Sequence, residues 1–198
     1  MTALADYLDL RVAVSEWTER RDISDVMPRF VLEAEDSLNT QLRVREMLTV
    51  GATLTFTSGV APLPDDFIEV GTIWDATAQW PLPGGVQQVL QAWQDAYSWA
   101  IYGDNVYIYG LDGTTRLMDY YAKLPTLTTT LTTSNWLLQK LPDLYKWAVC
   151  LQVAKWLKDV EMGGNAQALL TTEMDKLMTA DAQARFGNAV IRTRSPRP

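Results

Sequence analysis

Two pairs of neighbouring carboxylates are the side chains of this sequence best placed to do chemistry. Asp65 is adjacent to Asp66, and Glu33 lies two residues before Glu35. Such pairs act as acid and base in glycoside hydrolysis, or hold a magnesium ion. The first pair falls in a predicted turn and the second on a predicted helix, where carboxylates are usually solvated. We therefore interpret both pairs as solvated surface acids.

The residue types that other chemistries require are missing from the sequence. The chain has no histidine and one cysteine, Cys150, which excludes a Ser/His/Asp triad, a histidine metal cluster and a zinc site of several thiolates. No glycine-rich phosphate motif opens a helix after a strand, and the pairs at 84–85 and 163–164 are interpreted as turns. Cys150 lies in an apolar helical run and is predicted to be a buried packing residue. We predict no enzymatic activity, no cofactor and no metal.

Composition and charge narrow the class of protein. With 198 residues, of which 47% are hydrophobic, the chain can bury the core of one domain. A net charge of -7 and a pI near 4.6 disfavour a protein that grips nucleic-acid phosphates. No apolar run is long enough to span a membrane, and residues 1–10 lack a secretory signal pattern. We expect a reducing compartment, the cytoplasm, until the protein joins an assembly.

Apolar residues at spacings of three and four predict two amino-terminal helices, 3–18 and 28–43. The second helix begins at Pro28, whose fixed φ suits a first helical turn. The main apolar stripe of the first helix is Leu4, Leu8 and Val12, widened by Tyr7, Leu10, Val14 and Trp17. The apolar face of the second helix consists of Val31, Ala34, Leu38 and Leu42, with Glu33, Asp36, Asn39 and Arg43 turned away.

The pattern changes to alternation after Met47, which predicts a β subdomain at about 47–123. Strands are predicted from residue 48 to 56 and from 68 to 74, with a short helix at 85–93. Residues 97–121 are predicted to form a three-stranded antiparallel meander, with tight turns at 103–105 and 112–113.

Two carboxyl-terminal helices are predicted at 143–161 and 165–186, joined as a hairpin. The first is apolar on nearly all sides, so we expect it to be buried in the domain or between subunits. The glycine pair at 163–164 is expected to end it, and Asn165 to cap the second. Residues 1–186 are therefore interpreted as one α+β domain, a helical body with a small antiparallel β subdomain.

Two irregular segments are candidates for contacts with other chains. The threonine-rich loop at 123–134 could be a lid over a site or a contact loop, and we favour the contact loop because no catalytic group lies in it. It is predicted to touch a neighbouring subunit through Thr126, Leu127, Thr130 and Leu131. Residues 187–198 are predicted to be a flexible arm that is basic because of Arg192, Arg194 and Arg197, with a frayed terminus as the alternative. The preceding residues 1–186 hold 14 basic and 24 acidic side chains, a net charge of -10.

Several short motifs occur in order along nearly the whole chain: DIS at 22–24, VMPRFVLEAE at 26–35, LN at 38–39, LRVR at 42–45, LPDDF at 63–67, YYAKLP at 120–125, NWLL at 135–138, PDLY at 142–145 and ARFG at 184–187. Together they resemble the head-to-tail adaptor proteins of tailed bacteriophages, the connectors of the short-tailed kind.

The resemblance implies a structural virion protein at the neck, assembled in the host cytoplasm. A ring, expected to be twelvefold, would meet the portal on one face and the tail nozzle or stopper protein on the other, and would help to retain packaged DNA. DNA would pass through its channel without specific binding. The extended carboxyl-terminal arm would dock on the portal, with Arg185, Phe186, Arg192, Arg194 and Arg197 as the contact residues.

The aromatic residues leave a second interpretation open. Eight tryptophans and eight tyrosines could form a glycan-binding surface on the β meander of a tail component. A small hydrolase is a more distant alternative. Aromatic residues are also enriched at protein interfaces, so a ring subunit explains the same excess without a ligand.

Overall fold

The computed structural model describes residues 4–75, 77, 80–82, 84, 98–127, 130 and 132–186. The chain divides into two compact units. The helical unit is drawn from Met1–Arg45 and Leu124–Pro198, and the β unit is Glu46–Lys123. Helices and small antiparallel sheets together confirm the predicted α+β class. The helix predicted at 85–93 and the arm at 187–198 lie outside the described residues.

The described part of the helical unit contains five α-helices: α1 Tyr7–Trp17, α2 Met27–Gln41, α3 Trp136–Lys140, α4 Pro142–Leu157 and α5 Val160–Phe186. The local sequence explains where several of them start, since Asp6 and Asn135 accept hydrogen bonds from backbone N–H groups of the first turns of α1 and α3. Proline occupies the first turn of α2 and of α4.

The buried stripe of α1 differs from the one predicted. Tyr7, Leu10 and Val14 are buried, whereas the side chain of Val12 is 46% exposed. Both sets have helical spacing, so spacing alone could not distinguish the stripe that packs against the rest of the unit. The predicted face of α2 is correct, because its four apolar residues are buried.

Helix α4 is the central element of the helical unit and contacts each of the other four helices. It is buried on nearly all sides, as its continuous apolar pattern predicted, with Leu144, Tyr145, Val149 and Val153 fully enclosed. Cys150 is fully buried as well, and burial raises the pKa of its thiol to about 12. The prediction that Cys150 is a packing residue is confirmed.

The hairpin between α4 and α5 turns earlier than predicted. Lys158 caps α4 in the left-handed conformation, with φ at 59°. Asp159 follows and accepts a hydrogen bond from the N–H of Met162 at 2.9 Å, which is the geometry of a helix start. Helix α5 therefore begins at Val160 instead of residue 165, and Gly163 and Gly164 lie inside it. Their prediction as a turn is wrong.

The described part of the β unit contains six strands: β1 Leu48–Thr55, β2 Val60–Pro62, β3 Phe67–Trp74, β4 Ala100–Tyr102, β5 Asn105–Tyr107 and β6 Thr115–Ala122. They form two three-stranded antiparallel sheets, with strand orders β1-β6-β3 and β2-β5-β4. Their core includes Phe56, Ile73, Val106, Ile108 and Met118. Within the described residues, no helix is long and apolar enough to cross a bilayer.

The predicted meander is only partly correct. Strands β4 and β5 form a hairpin, but β6 leaves their sheet and pairs between β1 and β3. The connection at 108–114 includes Gly110 and Gly113 at positive φ, which lets the chain change direction before β6. Gly84, interpreted as a turn residue, instead forms a parallel bridge with Trp99.

Candidate interaction surfaces

The adjacent acids Asp65 and Asp66 have structural contacts. A carboxylate oxygen of Asp66 accepts a hydrogen bond from the hydroxyl of Tyr120 at 2.9 Å, and its carbonyl accepts one from the N–H of Lys123 at 2.7 Å. The carbonyl of Asp65 accepts from the ammonium of Lys123 at 3.2 Å. Both residues are exposed, as predicted, and together they fix the turn before β3 against the end of β6.

The other predicted pair is split between two environments. Glu33 is partly exposed and pairs with Arg29 at 2.7 Å, one helical turn away. Glu35 is only 3% exposed, so its prediction as a solvated acid is wrong. Its carboxylate accepts hydrogen bonds from the hydroxyl of Tyr145 and, at 2.7 Å, from the N–H of Leu127. Burial raises the pKa of Glu35, and the two hydrogen bonds oppose that shift.

The threonine-rich loop is held by side chains of α2. Asn39 lies one turn after Glu35 and accepts a hydrogen bond from the N–H of Leu124 at 2.8 Å. Glu35 and Asn39 therefore bind two successive points of the same segment. At its other end, the side-chain amide of Asn135 donates to the carbonyl of Pro125 at 3.0 Å. These bonds give the loop a fixed base.

The four predicted contact residues of this loop have different environments. Thr126 and Thr130 are exposed. Leu127 is buried within its own subunit, so its prediction as a residue that contacts a neighbour is wrong for the side chain. Leu131 lies outside the described residues. The loop can therefore offer Thr126 and Thr130 to another chain.

The end of α5 is attached to the segment after α2. Asp181, which is mostly buried, accepts hydrogen bonds from the N–H of Arg45 at 3.0 Å and pairs with Arg185 at 2.7 Å. Arg185 also donates to the carbonyl of Arg43 at 3.2 Å. Arg185 is thus part of the folded body, and Phe186 is the last residue of α5. The arginines predicted for the arm, Arg192, Arg194 and Arg197, lie outside the described residues.

A pocket of about 320 Å³ lies in the β unit between residues 58–60 and 107–112. Its lining is mainly apolar and includes Tyr109, which is 54% exposed. Tyr102 is more exposed, at 69%, and does not line the pocket. The aromatic residues of this region stand out in the sequence, but the concave surface does not. It forms only where residues 58–60 meet residues 107–112, which are distant in sequence.

Charge is distributed unevenly along the chain. Residues 46–123 contain 2 basic and 9 acidic side chains, a net charge of -7 that equals the charge of the whole protein. In the described residues, no group of three or more acidic or cysteine side chains could hold a metal ion. The described residues thus offer three candidate surfaces for contacts with other chains: the anchored threonine-rich loop, the end of α5, and a mainly apolar pocket in an acidic unit.

Comparison with known proteins agrees with the order of motifs along the chain. No curated protein sequence matches this one. The sequence profile of the SU10 adaptor protein family matches residues 5–194, which is nearly the whole chain. This match confirms the resemblance to phage head-to-tail adaptors, so the chain belongs to the SU10 adaptor protein family and is a structural component of a bacteriophage neck.

Proposed function

We propose that this adaptor forms a ring, expected to contain twelve copies, below the portal of a tailed phage. The ring links the capsid vertex to the tail nozzle or stopper protein and helps to retain the packaged genome. The single observation that carries this proposal is the family match, which extends from residue 5 to residue 194. Rings of identical subunits need one surface of each copy to fit a different surface of the next.

The threonine-rich loop is our candidate for one of these subunit surfaces. Its base is held by Glu35, Asn39 and Asn135, while Thr126 and Thr130 are exposed. A loop that is ordered before it meets its partner loses less conformational entropy on binding. Thr126 and Thr130 would then contact the adjacent copy.

The arm at 187–198 is our candidate for the portal contact. It has three arginines and no acidic residue, and it follows a helix end that Asp181 and Arg185 fix to the body. One arm would bind weakly because its ordering costs on the order of 1 kcal/mol per residue in backbone entropy. Many arms on one ring would bind tightly through multivalency.

The body is proposed to work by assembly alone, without catalysis or a cofactor. Residues 1–186 have a net charge of -10, which suits a channel through which DNA passes without specific binding, since phosphates are repelled by acidic surfaces. Subunits would be made in the host cytoplasm and then stay in the virion neck. We do not propose a contact with a membrane.

A pull-down with purified portal particles tests the proposal. The full-length chain and a chain that ends at Phe186 are compared at low and high salt, because exposed charge contacts weaken within a Debye length of about 10 Å at 0.1 M. The full-length chain should bind in a salt-sensitive way and the shortened chain should bind much less. The mass of the bound complex gives the number of copies. Portal binding that is unchanged by the deletion at both salt concentrations would refute the role of the arm.

A further inference from the structure

The pocket of the β unit has a shape that its backbone fixes in advance. The N–H of Gly59 donates to the carbonyl of Leu111 at 2.6 Å, and the N–H of Ile108 donates to the carbonyl of Gly59 at 2.9 Å. Gly59 has φ at 80°, and a Cβ at this position would stand 2.8 Å from the carbonyl oxygen of Ile108. The two turns are therefore closely joined, and the concave surface between them exists before any partner binds.

The size and lining of the pocket define the chemistry of its ligand. A volume of about 320 Å³ is at the small end of the range for ligand pockets, and suits one or two aliphatic side chains. Asp112 lines the pocket, is exposed, and uses one carboxylate oxygen to accept the N–H of Ser58 at 2.9 Å. The unit around it has a net charge of -7. An aliphatic group followed by a cation would match both features.

The carboxyl-terminal segment of the same chain has this composition. Val190 and Ile191 are its two large aliphatic residues, and Arg192 follows them directly. The segment of 12 residues at 187–198 has a charge of +3 and can extend up to about 40 Å, which is enough to reach another copy in an assembly. Its charge and apolar content complement those of the pocket.

We propose that the pocket between residues 58–60 and 107–112 binds Val190 and Ile191 from the carboxyl-terminal segment of a second copy, with Arg192 beside Asp112. The choice of a second copy rests on the proposed ring, because such an exchange of arms links adjacent subunits in one direction. The pocket holds the segment while no portal is present, and the portal competes for the same segment during assembly.

Peptide binding tests the pocket without the portal. A synthetic peptide of residues 187–198 is titrated by calorimetry into the full-length chain carrying Val190→Ser and Ile191→Ser, whose own arm cannot fill the pocket. We expect binding that weakens as salt is added. Tyr109→Ser in the receiving chain should weaken it about tenfold or more, as loss of a central aromatic contact does. Tyr102→Ser is the matched control and should leave the affinity unchanged.

Two further variants separate charge from shape. Asp112→Asn can still accept the N–H of Ser58 but removes the charge, so it should reduce the salt dependence of peptide binding. Asp104→Asn removes an exposed acid outside the pocket lining and should not. Circular dichroism confirms that each receiving chain is folded. Absence of peptide binding, or an equal loss with Tyr109→Ser and Tyr102→Ser, would overturn the proposal.

Sedimentation of the full-length chain tests whether the donor is a second copy. The unaltered chain should associate with rising concentration, and the chain with Val190→Ser and Ile191→Ser should associate less. If the unaltered chain stays monomeric and does not bind added peptide, each pocket would hold the arm of its own chain. That result would contradict exchange between copies. Because none of these measurements includes the portal, their failure is distinguishable from failure of the portal pull-down.

Discussion

The hydroxyl of Tyr145 on α4 donates a hydrogen bond to the carboxylate of Glu35 on α2, inside the helical unit and across 110 residues of sequence. The same carboxylate accepts the N–H of Leu127, so one acid joins two helices and the threonine-rich loop. A buried carboxylate without hydrogen bonds would be strongly unfavourable. These two hydrogen bonds offset the cost of burying the carboxylate of Glu35. The bond from Leu127 also makes Glu35 one of the residues that hold the loop.

Tyr145→Phe should destabilise the protein. The substitution keeps the ring but removes a donor to a buried carboxylate, which typically costs about 1 to 3 kcal/mol in the free energy of unfolding. Urea denaturation measures this change. Tyr102→Phe, on a side chain that is 69% exposed, is the control and should stay within about 0.5 kcal/mol of the wild type. Equal stability of the two variants would show that the buried hydrogen bond contributes nothing.

Stability should depend on pH through Glu35. Burial raises its pKa in the folded state, so the native protein binds this proton more readily than the unfolded chain, in which glutamate has a pKa of about 4.3. The contribution of Glu35 is therefore most favourable below that pH and is lost as the pH rises through the folded value. The free energy of unfolding of Glu35→Gln, minus that of the wild type, should increase with pH across this range.

Urea titrations at several pH values measure that difference. Glu33→Gln is the control, because it removes a partly exposed acid in a surface ion pair with Arg29 instead of a buried one. A difference for Glu35→Gln that is constant with pH would mean that Glu35 titrates alike in the folded and unfolded states.

Helix α3, Trp136–Lys140, was not predicted, because its five residues are too few to show a helical period. Periodicity predicted the other four described helices because local sequence decides where an amphipathic helix forms. It also contained a signal for Glu35, since this residue lies four after Val31 and three before Leu38, on the buried face. The general tendency of acids to be solvated outweighed that signal. The donors that make burial tolerable, Tyr145 and the backbone of Leu127, are distant in sequence and could not be identified from spacing.

The β unit shows the same limit for strand pairing. Each long strand was predicted from alternation, but β6 was assigned to the hairpin that precedes it in sequence. Its true neighbours are β1, which ends 60 residues before β6 begins, and β3, which ends 41 residues before it. Pairing between distant strands is decided by the shared core, in which Met118 of β6 lies opposite Ile73 of β3 and Ala52 of β1. The pocket at 58–60 and 107–112 depends on another pairing, that of β2 with β5, in which Val60 lies opposite Tyr107.

The tryptophans of α1 and α4 should be energetically coupled. The rings of Trp17 and Trp147 are 5.4 Å apart and nearly perpendicular, at 76°. Both side chains are only half-buried, so Trp147→Ala should cost about 2 kcal/mol, less than a fully buried tryptophan would. A double-mutant cycle with Trp17→Ala should give a coupling of about 0.5 to 1.5 kcal/mol. Strictly additive effects would contradict a direct contact.

The glycine pair of α5 gives a test that separates the helix from the turn predicted by sequence. A Cβ on Gly163 would be 3.8 Å from the Cβ of Ala154, an ordinary contact, and one on Gly164 would meet nothing within 4 Å. Neither glycine has positive φ. Alanine has the higher helix propensity, so Gly163→Ala and Gly164→Ala should each stabilise the protein by about 0.5 to 1 kcal/mol.

Gly59→Ala is the contrasting substitution. Its φ of 80° and the 2.8 Å approach to the carbonyl of Ile108 leave no room for a Cβ, so it should destabilise by more than about 1 kcal/mol. Thermal unfolding of the three variants measures both the expected stabilisation at Gly163 and Gly164 and the expected destabilisation at Gly59. Destabilisation by alanine at Gly163 or Gly164 would place the turn at the glycine pair, whereas stabilisation there with loss at Gly59 supports a hairpin that turns at Lys158 and Asp159.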